Sequence, residues 1–297
     1  MDATTIGRPT LTTRVESWEC DFNDHWNARF YGRSFQLAAE RVATLRGLDN
    51  PGMALLGSRT IRFHRELLAG TAVEVRSARV TSGAHAGAVA HLLSGGGRLS
   101  ATALDLPGRG GEALPGVGPE IGRLAFPRGA PTPPEENSWA GSEIAETGAA
   151  RPAEFDHTGA FLHEEIVRRG AYGLHAMLDR LGFTTRFEAE NRIGRMVVES
   201  RITPLGACLP GTMIRVRSRI ARIGRTSFAT RHRLETDRCA PIASIENSLV
   251  AVDLETRRAV GVPAFLRRLD PASSYAPLRA SDPTPDDAVN RRGAGPK

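Results

Sequence analysis

The chain has 297 residues, 24% of them charged, and a formal net charge of +6. Lys297 is its only lysine, so nearly all the positive charge is arginine, scattered along the chain and not gathered into a block. With no zinc-finger spacing and no basic arm, this pattern argues against a nucleic-acid binder. No apolar run is long enough to span a bilayer.

The length suits two domains, each able to bury its own core. Cys20, Cys208 and Cys239 are far apart and odd in number, so neither a disulfide framework nor a C-x-x-C metal site can be read from them. The first residues lack the apolar core of a secretion signal. A reducing cytoplasm is the expected compartment, and no metal or redox cofactor is implied.

In chain order, a first strand is expected near Leu11–Glu19. Trp18–Tyr31 follows, W-E-C-D-F-N-D-H-W-N-A-R-F-Y, with Asp21, Asn23, Asp24, His25 and Asn27 close together. A long helix is expected over Ala28–Arg46, because Tyr31, Phe35, Ala38, Val42 and Leu45 make one apolar stripe. Gly47 then stops it. Acid, amide and imidazole thus gather at a helix N-terminus, where backbone N–H groups lack partners and the dipole is positive. A carbonyl could be polarised there, with Asp21 or His25 activating water. The plainer reading is that Asp24 or Asn27 only caps the helix. Four strand-like runs follow: Ser58–Arg65, Thr71–Thr81, His85–Leu93 and Arg98–Leu106. They alternate between apolar and polar residues, as an antiparallel sheet with one covered face does.

Residues 107–142 include a Gly- and Pro-rich stretch that reads as a linker. A second copy of the plan is then expected over 143–270: a strand near Ala149–Phe155, a helix over about His163–Leu181 closed by Gly182, and strands Arg195–Thr203, Thr212–Ile223, Ser227–Glu235 and Ala243–Leu254. Residues 271–297 read as a flexible tail. The first copy is placed at 8–106.

The repetition is visible in spacing. Asp21, Asp24, Tyr31 and Gly47 are each answered 135 residues later, by Asp156, Gly159, Ile166 and Gly182. Gly70–Ser77 is answered 141 residues later by Gly211–Ser218, as His91 is by His232. Ala103, Asp105 and Leu106 match Ala251, Asp253 and Leu254 at a spacing of 148. Stepwise growth in spacing fits insertions in loops. The copies are expected to pack on each other as an intramolecular pseudo-dimer, because a lone copy exposes a sheet edge; further oligomerisation is left open.

An α+β chain of two helices, each wrapped by a curved antiparallel sheet, resembles a tandem (double) hotdog. Asp21-Phe22-Asn23-Asp24-His25-Trp26-Asn27, followed by Tyr31, resembles the signature of the 4-hydroxybenzoyl-CoA thioesterase-like superfamily. The D-x-N-x-H form and the tandem arrangement resemble the acyl-ACP thioesterases. Phe63-His64-Arg65-Glu66-Leu67 resembles their Y-R-R-E-C context. The resemblance implies hydrolysis of an acyl-CoA or acyl carrier protein thioester, as in fatty acid metabolism. It makes Asp21 the nucleophile or general base, His25 the polarising imidazole, Asn23 a positioning amide and Glu66 a second acid. Trp26, Asn27 and Tyr31 are implied to bind substrate. The sequence departs from the pattern at Ala28, Asp24 and Leu67, and carries the motif in its first copy. A hydratase or dehydratase of the same fold is the nearest alternative, although its D-x-N-P-x-H spacing differs; a binding module without catalysis is the other.

Strand alternation puts His64 and Glu66 on one side and Ile61 and Phe63 on the other. If Ile61 and Phe63 face the helix, Glu66 points away unless a bulge intervenes. His91 and His232 read as structural. Gly170 and Gly173 allow either close packing on the sheet or space for an acyl chain. In the second copy Asp156, Thr158 and Ala160 stand opposite Asp21, Asn23 and His25, and Ala207 opposite Glu66. One working site is therefore expected.

Overall fold

The computed structural model describes residues 5–21, 24–45, 47–48, 56–107, 111–128, 139 and 141–269. The expected tail and Asn23 lie outside the described residues.

The elements are β1 (Arg8–Arg14), α1 (Ala28–Thr44), β2 (Ser58–Phe63), β3 (Ala72–Val80), β4 (Val89–Gly95), β5 (Arg98–Leu106), β6 (Gly116–Val117), α2 (Gly122–Ala125), β7 (Glu143–Ala149), α3 (His163–Arg180), α4 (Thr185–Asn191), β8 (Ile193–Pro204), β9 (Met213–Ile223), β10 (Ser227–Thr236), β11 (Pro241–Asp253) and α5 (Ala264–Arg267). One sheet holds all the strands, in the order β1-β3-β4-β5-β2-β8-β11-β10-β9-β7, with β6 beside β3. Read inward from either end, that order is the same for the two halves. The halves join where β2 pairs antiparallel with β8, Thr60 opposite Arg201. Those two residues are 141 apart, the spacing of the neighbouring repeats, so a local two-fold passes between them. The architecture is a double hotdog.

α1 and α3 lie against each other on one face of the sheet. Beneath α1, Tyr31, Phe35 and Ala38 meet Ile61, Val75, Leu93 and Ala103. Beneath α3, Ile166 meets Val216, Leu234 and Ile245, while Leu174 and Leu178 meet Ile220, Phe228 and Leu249. Gly47 and Gly182 take left-handed φ values of 73° and 94° after the helices, as C-terminal stops do. Gly170 and Gly173 are packing glycines: a Cβ would stand 2.2 Å from Ile245 Cδ1 and 2.5 Å from Val216 Cγ1, respectively. The space there is filled by sheet side chains, so the acyl-space reading of these two positions falls.

Three expectations about elements are corrected. The first strand of each half starts and ends earlier, and the residues expected to prolong it form one-turn helices, Ser17–Glu19 and Pro152–Glu154. Each turn is closed by its own glutamate, which accepts the backbone N–H three residues back: Glu16 N–H to Glu19, and Arg151 N–H to Glu154 at 3.0 Å. The linker is not loose over 111–128, because Ile121 and Ala125 pack onto Val80, Ala90, Leu92 and Leu104 on the outer face of the sheet. The third correction concerns register. Arg59 faces Asp105 across β2 and β5, while Ser200, its counterpart, faces Asn247 across β8 and β11. The structural partner of Asp105 is therefore Asn247 and not Asp253. α4 went unread; Thr184, whose side chain accepts the Phe187 N–H, was its available signal.

Two buried histidines make the fold acid-sensitive. Burial pushes His232 down to about 3. His163 is held well below the usual range by burial and then by the Arg59 charge. Both are neutral when folded and free to protonate when unfolded. Below about pH 6.5 the unfolded chain binds protons that the native chain does not, so stability falls as pH falls. At pH 4.5 His232 should cost about 2–3 kcal/mol relative to pH 7.5, and His163 adds a cost of the same sign. Denaturation midpoints across that range should show the decline, and His232→Gln should flatten it. An unchanged slope in that variant would refute the assignment.

Candidate active site

The first motif is a tight loop between the Ser17–Glu19 turn and α1. The Asp21 N–H donates to the His25 carbonyl at 2.8 Å, the Asp24 N–H to the Asp21 carbonyl at 3.0 Å, and the Asn27 N–H to the Glu19 carbonyl at 3.0 Å. Asp21 Oδ1 accepts the His25 backbone N–H at 3.2 Å. Asp24 takes a left-handed φ of 59°, which an aspartate tolerates better than most residues. Asn27 is the N-cap of α1, its Oδ1 accepting the Arg29 N–H at 3.0 Å.

The second motif repeats the backbone bonds of this frame, with Leu162 in place of the capping Asn27. Asp156 N–H donates to Ala160, Gly159 N–H to Asp156, and Leu162 N–H to Glu154. Asp156 Oδ1 accepts the Ala160 N–H at 3.0 Å and the Thr158 N–H at 2.8 Å. Gly159 carries the left-handed φ that Asp24 has in the first loop. Glu19 holds Arg33 in one half as Glu154 holds Arg168 in the other. A loop aspartate is therefore part of the architecture in both halves.

The halves differ in what stands on the frame. His25 Nε2 lies 3.3 Å from Glu66 Oε2, both side chains partly exposed. The strand-parity expectation for Glu66 is overturned by a bulge. Phe63 does face the helix, its ring 5.4 Å from that of Tyr31. The N–H groups of His64 and Arg65 then both donate to the Ser100 carbonyl, at 2.8 and 3.0 Å. Two residues opposite one reverse the alternation, so His64 turns to Thr102 and Glu66 comes round to His25. The Trp26 N–H closes the junction on the Leu67 carbonyl at 2.8 Å. The same bulge recurs at Leu205 and Gly206 on the Ile242 carbonyl, but it delivers Ala207 to a loop that carries Ala160.

Glu66 also pairs with Arg257, from the turn after β11. Arg29, in the first turn of α1, pairs with Glu164 at 3.2 Å and Glu165 at 2.6 Å in the first turn of α3. The first loop is thus built by one half and braced by the other, through Arg257 on Glu66 and through Glu164 and Glu165 on Arg29, contacts that the sequence did not announce. Trp26 and Tyr31 are 4% and 3% exposed and belong to the core beneath α1. Trp26 donates its indole N–H to Glu19 at 2.9 Å. Tyr31 bonds Ser100, and burial raises its hydroxyl to about 12. Asn27 serves the helix as its cap. Among the described residues no group of three or more His, Cys, Asp or Glu could hold a metal ion, and no helix is long and apolar enough to cross a membrane.

The fold is that of a double hotdog. Residues 150–269 match the family model of the thioesterase-like superfamily, a match that falls on the half lacking His25 and Glu66. The acyl-ACP thioesterase of Bacteroides thetaiotaomicron is similar in structure, with a TM-score of 0.54, 10% identity, and coverage of 84% of this chain and 100% of that one. The 12:0-ACP thioesterase of Umbellularia californica is similar at a TM-score of 0.52 and 12% identity, over 82% of this chain and 94% of that one. No curated protein matches the sequence significantly.

Proposed function

We propose that the chain hydrolyses an acyl thioester, of coenzyme A or of an acyl carrier protein, at the first motif loop. The observation that carries this reading is the His25–Glu66 pair at the start of α1, present in one half of a frame that is otherwise the same in both. The superfamily match and the two acyl-ACP thioesterase neighbours support it.

The thioester carbonyl sits at the helix N-terminus, where backbone N–H groups and the dipole stabilise the developing oxyanion. Asp21 takes a proton from the attacking water, or attacks the carbonyl itself to give an anhydride that water then opens. His25 polarises the carbonyl, and Glu66 fixes its ring as Arg257 fixes Glu66. Asn23 positions the reacting groups. The carbon–sulfur bond breaks and the thiol leaves with a proton. Such chemistry suits fatty acid metabolism in the cytoplasm.

The test is a panel of acyl-CoA and acyl carrier protein thioesters with free-thiol detection, run beside an enoyl-CoA hydration assay. Thiol release is expected, and His25→Ala should lower it by about 10²–10⁴-fold. Enoyl hydration without thiol release, or an undiminished rate in His25→Ala, would refute the proposal.

A further inference from the structure

One polar pair interrupts the hydrophobic face beneath the helices. Asn247 sits on β11 between Ile245 and Leu249, which pack under α3, so alternation turns it to the same inner face. Ser200 faces it from β8, with Ile61 of the first half on its other side. Asn247 and Ser200 are 8% and 9% exposed. Neither side chain makes a hydrogen bond among the described residues, whereas Thr230, on the far side of Asn247, is bonded to His232 at 2.8 Å. Nor are their polar atoms sealed as Arg59 Nη1 and Gln36 Oε1 are; they still touch solvent. Native proteins keep few buried polar groups without a partner, and these two form the floor of a crevice.

The first half shows what closes the matching place. Arg59 and Asp105 stand where Ser200 and Asn247 do, and they bond each other. Above them the ring of His163, the first residue of α3, lies against Gly32 with no exposure and within the field of both charges. The local two-fold continues between the helices, because residues 135 apart meet there. Arg29 pairs with Glu164 at 3.2 Å, and a Cβ on Gly32 would stand 3.4 Å from Val167 Cγ2.

The same two-fold sets Ala28, the first residue of α1, over Ser200 and Asn247. Ala28 carries a methyl in place of the imidazole, and it is exposed. Guanidinium, carboxylate and imidazole thus fill the first crevice, while hydroxyl, amide and methyl leave the second one open. Its opening lies at the N-terminus of α1, next to the capping Asn27, which is the helix end of the candidate active site. Its floor is polar and uncharged. A serine hydroxyl and an asparagine amide each supply a donor and an acceptor, the complement of a hydroxyl group.

We infer that this crevice receives the acyl group of the thioester and selects one with a hydroxyl at the depth of Ser200 and Asn247. The inference rests on the proposed thioesterase reading and adds the acyl chemistry that the reading leaves open. A plain alkyl chain reaching the floor would strip its water and leave both side chains unpaired. Sites built to bond a hydroxyl reject the analogue that lacks it.

The test uses ω-hydroxyacyl-CoA esters of graded length, each beside the unsubstituted ester of equal length. Thiol release gives kcat/KM on the full chain, and calorimetry gives affinity. At the length that reaches the floor, the hydroxylated ester should lead by about 10–10²-fold. Asn247→Leu combined with Ser200→Ala should bring that ratio near one, with the unsubstituted ester gaining and Tm held. Ser200→Ala alone removes a single hydroxyl and should lower the ratio in part. A purely structural pair would instead lower Tm on substitution and leave the ratio as it was. A wild-type ratio near one at every length, or a ratio unmoved in both variants, overturns the inference and leaves hydrolysis standing. No thiol release from any ester refutes the hydrolase reading instead, and the ratio of calorimetric affinities then judges the crevice by itself.

Discussion

Asp21→Asn is expected to lower kcat/KM for thioester hydrolysis by about 10²–10⁴-fold, the usual cost of a lost general base, while Asp156→Asn stays near wild type. The structure makes the pair a controlled comparison. Both carboxylates accept the backbone N–H four residues on, from His25 and from Ala160. An asparagine Oδ1 accepts the same bond, so the architectural cost should be small and similar at both places. What then separates the variants is chemistry, because only Asp21 shares its loop with the His25–Glu66 pair. Equal kcat/KM values in the two variants would reduce Asp21 to a loop builder and leave water activation to His25.

The second large effect is on stability. Asp105 accepts bonds from Arg59 Nε at 2.7 Å and Nη2 at 2.6 Å, with His91 Nε2 at 3.3 Å. Arg59 and His91 have no exposure, and Asp105 has 5%. Burial alone would raise the Asp105 carboxyl; the Arg59 charge and hydrogen bonds, with His91, hold it well below the usual range. The sign follows: this stability is present above the unfolded carboxylate range and is lost as pH falls through the folded value. Asp105→Leu leaves the Arg59 charge buried without its carboxylate and should cost about 3–5 kcal/mol in denaturant titration. Arg59→Met with Asp105→Leu removes both charges and should recover much of that, as replaced buried pairs often do. The second half supports the expectation, since Ser200 and Asn247 fill the matching places without charge. A double variant at least as unstable as the single would show that the pair is not the source.

Much of this was legible in the chain. The long helices follow from apolar spacing along α1 and α3 and from the glycines that stop them. The acidic loop is readable because five polar residues crowd before a helix, and a loop of that length closes on local bonds. The doubled plan is readable because matched residues return in order.

Other features were settled only by what lies opposite in space. Alternation sent Glu66 away from the helix, and the Ser100 carbonyl, by taking two successive N–H groups, brought it back. Matching by letters set Asp105 against Asp253, whereas strand pairing set it against Asn247, because register is fixed by the neighbouring strand and not by composition. The motif's letters do not say how deep Trp26 and Tyr31 lie; the packing of α1 on the sheet buries both rings. Arg257 reaches Glu66 from 191 residues away. No local pattern encodes such a contact, since it exists only once β2 and β8 have joined the two halves into one sheet.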